Sequence, residues 1–290
     1  MNIKHKEIIL MNLTIIPVYN DWKSLNKLLF KINRSLDKKG LFRILIIDDF
    51  STIKMSIKKD KLNKIKNIEV LRLNQNVGSQ KAIAIGLHHL NSKKVKNFRY
   101  ITVMDGDGED NPLEIKRMIK LAKKYKNSVV VSCRKDRNEN LIIKYLYKVH
   151  LLLTSLLTGN WMSFGNFSCF FYGNLKRILS DNSIWHAYSS AIKKNTNIKR
   201  LYATRSKRFY GKSQVKFLFL VAHSIRIIGV FYKRVILFSL LYLILIKILI
   251  QQYNLFFYLT IFLINILILL VMQKSKVNLN YSFNLKKVKP

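Results

Sequence analysis

The stretch FRYITVMDGDGEDNP (residues 98–112) sets the fold. Its first seven residues are mostly apolar and β-prone and run straight into acid. Asp105, Asp107, Glu109 and Asp110 then fall within six positions. Pro112 sits near the start of a helix expected to reach about residue 125, a position where proline is tolerated because its missing N–H would be unpaired anyway. Strands alternate with helices on both sides of this segment. LTIIPVY (13–19) reads as a strand and is followed by a helix over about 21–36. FRILIIDDF (42–50) is a strand that again ends in carboxylates, and IEVLRL (68–73) is a third. GSQKAIAIGLHHL (78–90) is helical, and SVVVSC (128–133) is a fifth strand after the one at 98–105. Apolar strands alternating with helices imply βαβ units, an α/β fold and a mostly parallel sheet. Such sheets bind ligands outside the carboxyl ends of their strands, which is where these acids fall.

Composition narrows the classes. The 290 residues carry 52 Lys+Arg against 15 Asp+Glu, a formal net charge of +37, and are 49% hydrophobic. That apolar content excludes a disordered chain. The basic excess points to nucleic acid, an anionic membrane surface or anionic substrates, and part of it matches the Lys, Asn and Ile bias of an AT-rich genome. The basic residues form no recognisable nucleic-acid reader motif, so no nucleic-acid partner is expected. Cys133 and Cys169 are too few for a disulfide framework or a thiolate metal site and read as buried apolar residues.

The C-terminal part has a different character. VILFSLLYLILIKILI (235–250) and LFFYLTIFLINILILLVM (255–272) are near-continuous apolar runs separated by QQYN. Each is roughly long enough to cross ~30 Å of hydrocarbon. Lys233 and Arg234 precede the pair and a lysine-rich tail follows it, so the positive-inside rule predicts a transmembrane hairpin with both flanks cytoplasmic. No secretory signal is read at the N-terminus. Residues 141–158 and 213–234 are amphipathic, with Lys144 and Lys148 on one stripe and Lys216, His223, Arg226 and Lys233 on the other. A broad apolar face with a narrow basic stripe suits a helix lying in a bilayer interface. The expected organisation is a nucleotide-binding domain over 1–212, a juxtamembrane helix over 213–232, a hairpin over 233–273 and a basic tail over 274–290.

Seven of the 15 acids, Asp21, Asp48, Asp49, Asp105, Asp107, Glu109 and Asp110, gather at the expected open edge of the sheet. An Asp-x-Asp pair at a strand end suits a hard divalent cation whose shell is completed by phosphate oxygens. Gly106 and Gly108 let the backbone turn tightly beside a bulky ligand. A lone Asp-x-Asp is a weak signal that more often marks a solvated turn. An EF-hand is excluded, because no Glu occupies the twelfth position.

IIPVYND, IIDDFST, NQNVGSQKAIAIGL and VMDGDGEDNP, in this order and spacing, resemble a family 2 glycosyltransferase. The branch most similar includes dolichyl-phosphate mannose synthase and the bacterial polyprenyl-phosphate sugar transferases. The resemblance extends through SCRKDR (132–137), FGNFSCFFYGNLKRI (164–178), WHAYSSAIKK (185–194) and RSKRFYGKSQVKF (205–217), and covers about residues 12–232. It implies a GT-A (Rossmann-like) domain, a UDP- or GDP-linked sugar donor and inversion at the anomeric carbon. Pro17, Tyr19, Asp21, Asp48 and Asp49 would then grip the nucleoside, with Gly78 and Gln80 lining the donor pocket. Asp105 and Asp107 would hold magnesium or manganese on the diphosphate. Arg134, Arg205, Arg208 and Ser213 would bind an acceptor phosphate, and Glu109 and Asp110 would belong to the catalytic group.

This chain departs from the family pattern at several of these positions. Asp21 stands where Glu is usual, Phe50 replaces the Gly of Asp-Asp-Gly-Ser, and Glu109-Asp110-Asn111 replaces Gln-Asn-Asp. Cys133 replaces a Gly, and Asn166 stands where many relatives carry Asp. No Gln-x-x-Arg-Trp is present, which argues against a processive polysaccharide synthase. A sugar hydroxyl needs a general base to take its proton. A lipid phosphate, with a second pKa of about 6 by analogy with phosphorylated side chains, does not, so Asn166 leans toward a polyprenyl-phosphate acceptor. The expectation is therefore a multi-pass membrane enzyme with its catalytic domain and C-terminal tail in the cytoplasm. The alternatives are a hydroxyl acceptor on an envelope glycolipid or polysaccharide, and a non-catalytic membrane scaffold.

Overall fold

The computed structural model describes residues 10–37, 41–92, 98–134, 141–211, 217–250, 255–274 and 283–288. Its elements run β1 (Met11–Val18), α1 (Trp22–Ser35), β2 (Phe42–Asp48), β3 (Ile65–Leu73), α2 (Ser79–Ser92), β4 (Phe98–Val103), α3 (Glu114–Lys124) and β5 (Ser128–Arg134). They continue with α4 (Leu141–Thr158), β6 (Phe164–Phe171), α5 (Leu175–Ile178), α6 (Tyr188–Asn195) and β7 (Asn197–Ala203). The C-terminal part comprises α7 (Phe217–Gly229), α8 (Tyr232–Ile250), α9 (Leu255–Lys274) and β8 (Phe283–Val288).

The strands form one sheet in the order β7-β5-β6-β4-β1-β2-β3-β8. β1 pairs in parallel with β2 and β4, as do β2 with β3 and β5 with β7. Both faces of the sheet are covered. Ile15, Leu45, Ile47 and Ile101 point to the α2 and α6 side, where Ile83, Leu87 and Tyr188 meet them. Ile16, Ile44, Ile46 and Tyr100 point to the α1 and α3 side, against Leu25, Leu28, Ile32 and Met118. Alternation across a sheet buried on both faces explains why these strands read as unbroken apolar runs. Leu25, Leu28, Leu29 and Ile32 recur at helical spacing along α1 and are fully buried. Truncating one to Ala costs about 2–5 kcal/mol.

Three strands, β6, β7 and β8, fall where the sequence reading placed no strand, and β7 adds in parallel to the outer side of β5. β6 inserts antiparallel between β4 and β5. It divides its side chains as the other strands do, with Phe167 and Cys169 on one face and Phe170 on the other. Because it runs against its neighbours, its first residues reach the carboxyl edge of β4, which brings Asn166 to the acids. β8, within the expected basic tail, adds antiparallel to the edge strand β3, from Ile68↔Val288 to Leu73↔Phe283.

The amphipathic segment expected to run continuously into the first span is broken after Gly229, and the helices on either side meet at 86°. At Gly229 a Cβ would lie 2.6 Å from the Met272 sulfur, so glycine permits the close crossing of α7 and α9. Leu255–Gln273 is long and apolar enough to cross a membrane, with mean hydropathy 2.8. Among the described residues, α8 passes the same test only when joined with α7 as a bent pair.

Candidate active site

The loops after β1 and β2 are laced together. Asn20, at φ +53°, donates its backbone N–H to the Ser51 hydroxyl (2.9 Å), and its side-chain carbonyl accepts from the N–H groups of Thr52 (2.8 Å) and Ile53 (3.0 Å). Phe50 lies between them at φ +64°, the left-handed region that accounts for glycine at this position in the family motif. Asp48, 1% exposed, accepts from Ser51 N–H at 2.9 Å, and its other oxygen lies 3.8 Å from Arg72. Asp49, 3% exposed, accepts from the N–H groups of Val77 and Gly78, both at 2.8 Å. Burial pushes its carboxyl up to about 6 against the pull of those two donors. Asp49 therefore fixes the β2 end to the β3–α2 loop, while Asp48 ties it to Ser51 and to Arg72 on β3. Gly78, at φ +84°, supplies the turn. Tyr19 is exposed beside this framework, and Pro17 O lies 3.1 Å from where a Cβ on Gly106 would stand, so a larger residue there would have to push that backbone aside by a few tenths of an ångström.

The acids after β4 form a compact turn closed by a basic loop. Asp105 N–H donates to Asp110 (3.1 Å), and Glu109 N–H donates to Asp107 Oδ1 (3.0 Å). Over this turn lies the segment after β7. Ser206 N–H donates to Glu109 O (2.9 Å), Phe209 N–H donates to Asp107 O (3.0 Å), and Arg205 pairs with Glu109. Arg208 bridges two loops, reaching Asp21 Oδ2 at 2.7 Å and Asp107 Oδ2 at 3.4 Å. Asp21 also caps α1 through Ser24 N–H (3.2 Å). Gly108, at φ +86°, leaves room for the Phe209 ring, which would lie 2.2 Å from an added Cβ. Burial raises the carboxyls of Asp105, Asp107 and Asp110, and the charge of Arg134 opposes that rise at all three.

A chain of amides reaches the same turn from behind. Asn166 on β6 donates to Asp105 Oδ1 at 3.0 Å and accepts from the Gln80 amide at 2.9 Å. Gln80 in turn accepts from Tyr188 N–H at 2.9 Å. A neutral amide here orients Asp105 by donating to it, which a carboxylate at the same position would not do. The sequence marked Asn166 as a departure, but its partner depends on β6, which local periodicity does not reveal.

The Glycosyl transferase family 2 model matches residues 14–208, about two thirds of the chain and the segment that builds this edge. The chain belongs to glycosyl transferase family 2. It is 28% identical over 216 residues to undecaprenyl-phosphate 4-deoxy-4-formamido-L-arabinose transferase of Salmonella paratyphi B and of Salmonella newport, covering 71% of this chain. The match spans 63% of the length of those relatives. Among solved structures, a mannosyltransferase from Pyrobaculum calidifontis in complex with GDP-Man and Mn2+ is similar with a TM-score of 0.50. It is 11% identical, covering 91% of this chain and 73% of that one. A mycobacterial protein gives 0.52 at 12% identity, covering 78% and 74%. These likenesses establish the GT-A fold.

Within this family 2 domain, the structure brings Asp21, Asp105, Asp107, Glu109 and Asp110 together with Arg205 and Arg208, and Arg134 acts on the group electrostatically. Asp48, Asp49, Gly78 and Gln80 form its supporting frame. Ser213 lies outside the described residues. Among the described residues, no three His, Cys, Asp or Glu side chains gather as a closed metal cage. Two hard carboxylates in a turn fit a hard divalent cation that takes most of its ligands from a phosphate group, although Arg208 lies against one Asp107 oxygen at 3.4 Å.

Proposed function

We propose that this chain transfers a sugar from a nucleoside-diphosphate donor to a lipid phosphate at a membrane surface. The observation that carries the reading is the convergence of acids from the β1 and β4 loops beneath Arg205, Arg208 and Arg134, at the carboxyl edge of a GT-A sheet. Asp105 and Asp107 would hold a divalent cation, which when bound offsets negative charge on the departing diphosphate. The chain's own residues do the rest. Asn166 holds Asp105 in orientation, and partial cover by the 205–209 segment reduces the water around the carboxylates, which strengthens charge interactions there. Arg208 and Arg134 supply planar cations suited to phosphate oxygens. Glu109 and Asp110, the acids available as a base, are engaged by Arg205 and by Asp105 N–H. That favours an acceptor which arrives already ionised.

Membrane attachment is supported by α9 and by chain parity. The chain leaves the domain through α7 and returns to it at β8 on β3. A single crossing by α9 would leave β8 on the far side, which supports a reading in which α8 and α9 cross as a pair. The basic flanks support a cytoplasmic domain and tail. Incubating the purified full chain with labelled nucleotide-sugar, Mn2+ and polyprenyl phosphate is expected to give a chloroform-soluble, acid-labile product that D107N loses by at least 100-fold. Label appearing only in polysaccharide or protein would show that the acceptor is different.

A further inference from the structure

Beside the acidic turn, a cleft of about 760 Å³ opens between α4 and the ends of β5 and β7. This volume is in the range of small-ligand sites. Arg134, Lys144, Lys148 and Arg200 line it, with no carboxylate among the described lining residues. Four cations around one hollow repel each other unless an anion joins them. The remaining wall is aromatic and apolar: Tyr145 and Tyr202 are exposed, Trp161 is 49% exposed, and Leu151 forms part of the buried floor. Arg200 is held toward the cleft by a bond from its guanidinium to Trp161 O (3.3 Å).

The cleft has two distinct ends. At the inner end is Arg134, whose charge is felt by Asp105, Asp107 and Asp110. The outer end follows α4 toward the apolar helices. Leu152, Leu153 and Leu156 on α4 are exposed, and the Tyr242 hydroxyl of α8 donates to Leu156 O at 2.7 Å. An apolar surface continuous with α8 thus leads into a cationic hollow whose Arg134 is within electrostatic reach of the acids.

We propose that this cleft is the entry site for a phosphate ester bearing an apolar chain, with Lys144, Lys148 and Arg200 receiving the phosphate before Arg134 presents it to the acidic turn. The assignment rests on the lipid-phosphate reading above and gives it a location. Trp161 reports on the site directly, because Trp22 and Trp185, the other two tryptophans, are buried.

The test titrates the detergent-solubilised full chain with farnesyl phosphate, farnesol and inorganic phosphate while following tryptophan fluorescence. Farnesyl phosphate is expected to give a saturable change that W161F abolishes. K148Q and R200Q should each weaken it at least tenfold while leaving the affinity for nucleoside diphosphate with Mn2+ unchanged. Equal binding of farnesol, or of inorganic phosphate, would overturn the proposal, since either would show that only half of the ligand is recognised. It would also be overturned if farnesyl phosphate serves as acceptor yet K148Q and R200Q leave its KM untouched; the transferase reading would then stand and the cleft would not. Saturable binding at Trp161 with no transfer to any lipid phosphate would support the site and sink the transferase reading.

Discussion

Phe50 holds its backbone at φ +64° with its side chain 43% exposed. A non-glycine residue there costs of order 1 kcal/mol, and no burial of the ring offsets it. F50G is therefore expected to raise stability by about 0.5–1 kcal/mol, part of the gain being returned through the greater freedom of glycine in the unfolded chain. Denaturant titration of the solubilised chain measures this, and a loss of stability would mean that the ring makes contacts which outweigh the strain. Arg208 raises a second residue-level question. Its guanidinium occupies the Asp107 oxygen that a cation would need, so the two compete. R208Q should bind Mn2+ more tightly than the parent in the absence of nucleotide, by several-fold in an EPR titration. R205Q, which removes the same charge from Glu109, should gain less. Equal gains would reduce the effect to net charge alone.

Elements of this domain are joined by side chains that bond to distant backbone. Asp181, before α6, accepts from the Ser183 N–H and hydroxyl and from Asn195 (3.2 Å), and pairs with Lys194 at 2.6 Å. Burial raises its carboxyl, but these partners outweigh burial and bring it from 3.8 to about 2. The folded value lies below the unfolded one. Its stabilisation is therefore complete above about pH 4 and lost as pH falls toward 2. The shift corresponds to about 2.5 kcal/mol. Because both partners are about one third exposed, screening reduces it to about 1–2 kcal/mol. D181N should lose that amount at pH 7 and show a flatter acid limb between pH 4 and pH 2 in denaturation midpoints. An unchanged acid limb would assign the acid sensitivity to other carboxylates.

For the whole molecule, the pairing of β8 with β3 makes the proposed pair of crossings testable. Cys133 and Cys169 are buried, so single cysteines introduced elsewhere report sidedness. In sealed vesicles, K54C on the domain and N284C on β8 should react with a membrane-impermeant maleimide from the same face. L255C at the start of α9 should react from the other. Labelling of N284C and L255C from one face would reduce α8 and α9 to a single crossing or none. Deleting β8 is expected to bare the β3 edge, which invites pairing with another chain, and to raise the aggregated fraction in size-exclusion profiles.

The parallel strands, the helices between them and the placement of acids at strand ends were legible in the sequence. Each depends on a local period of 2 or 3.6 and on residues close in the chain, as in Ile15 and Ile16 facing opposite layers or Leu25 to Ile32 lining one side of α1. The family motifs pointed to the same edge. Long-range pairing was not legible. β6 resembles any aromatic segment until β4 and β5 flank it, and β8 resembles a basic tail until it meets β3. The Asn166–Asp105 bond joins residues 61 positions apart, and Arg208 bridges to Asp21 across 187. Hydrophobic periodicity is written along the chain, whereas which carboxylate meets which guanidinium is settled only when distant segments close around a shared sheet.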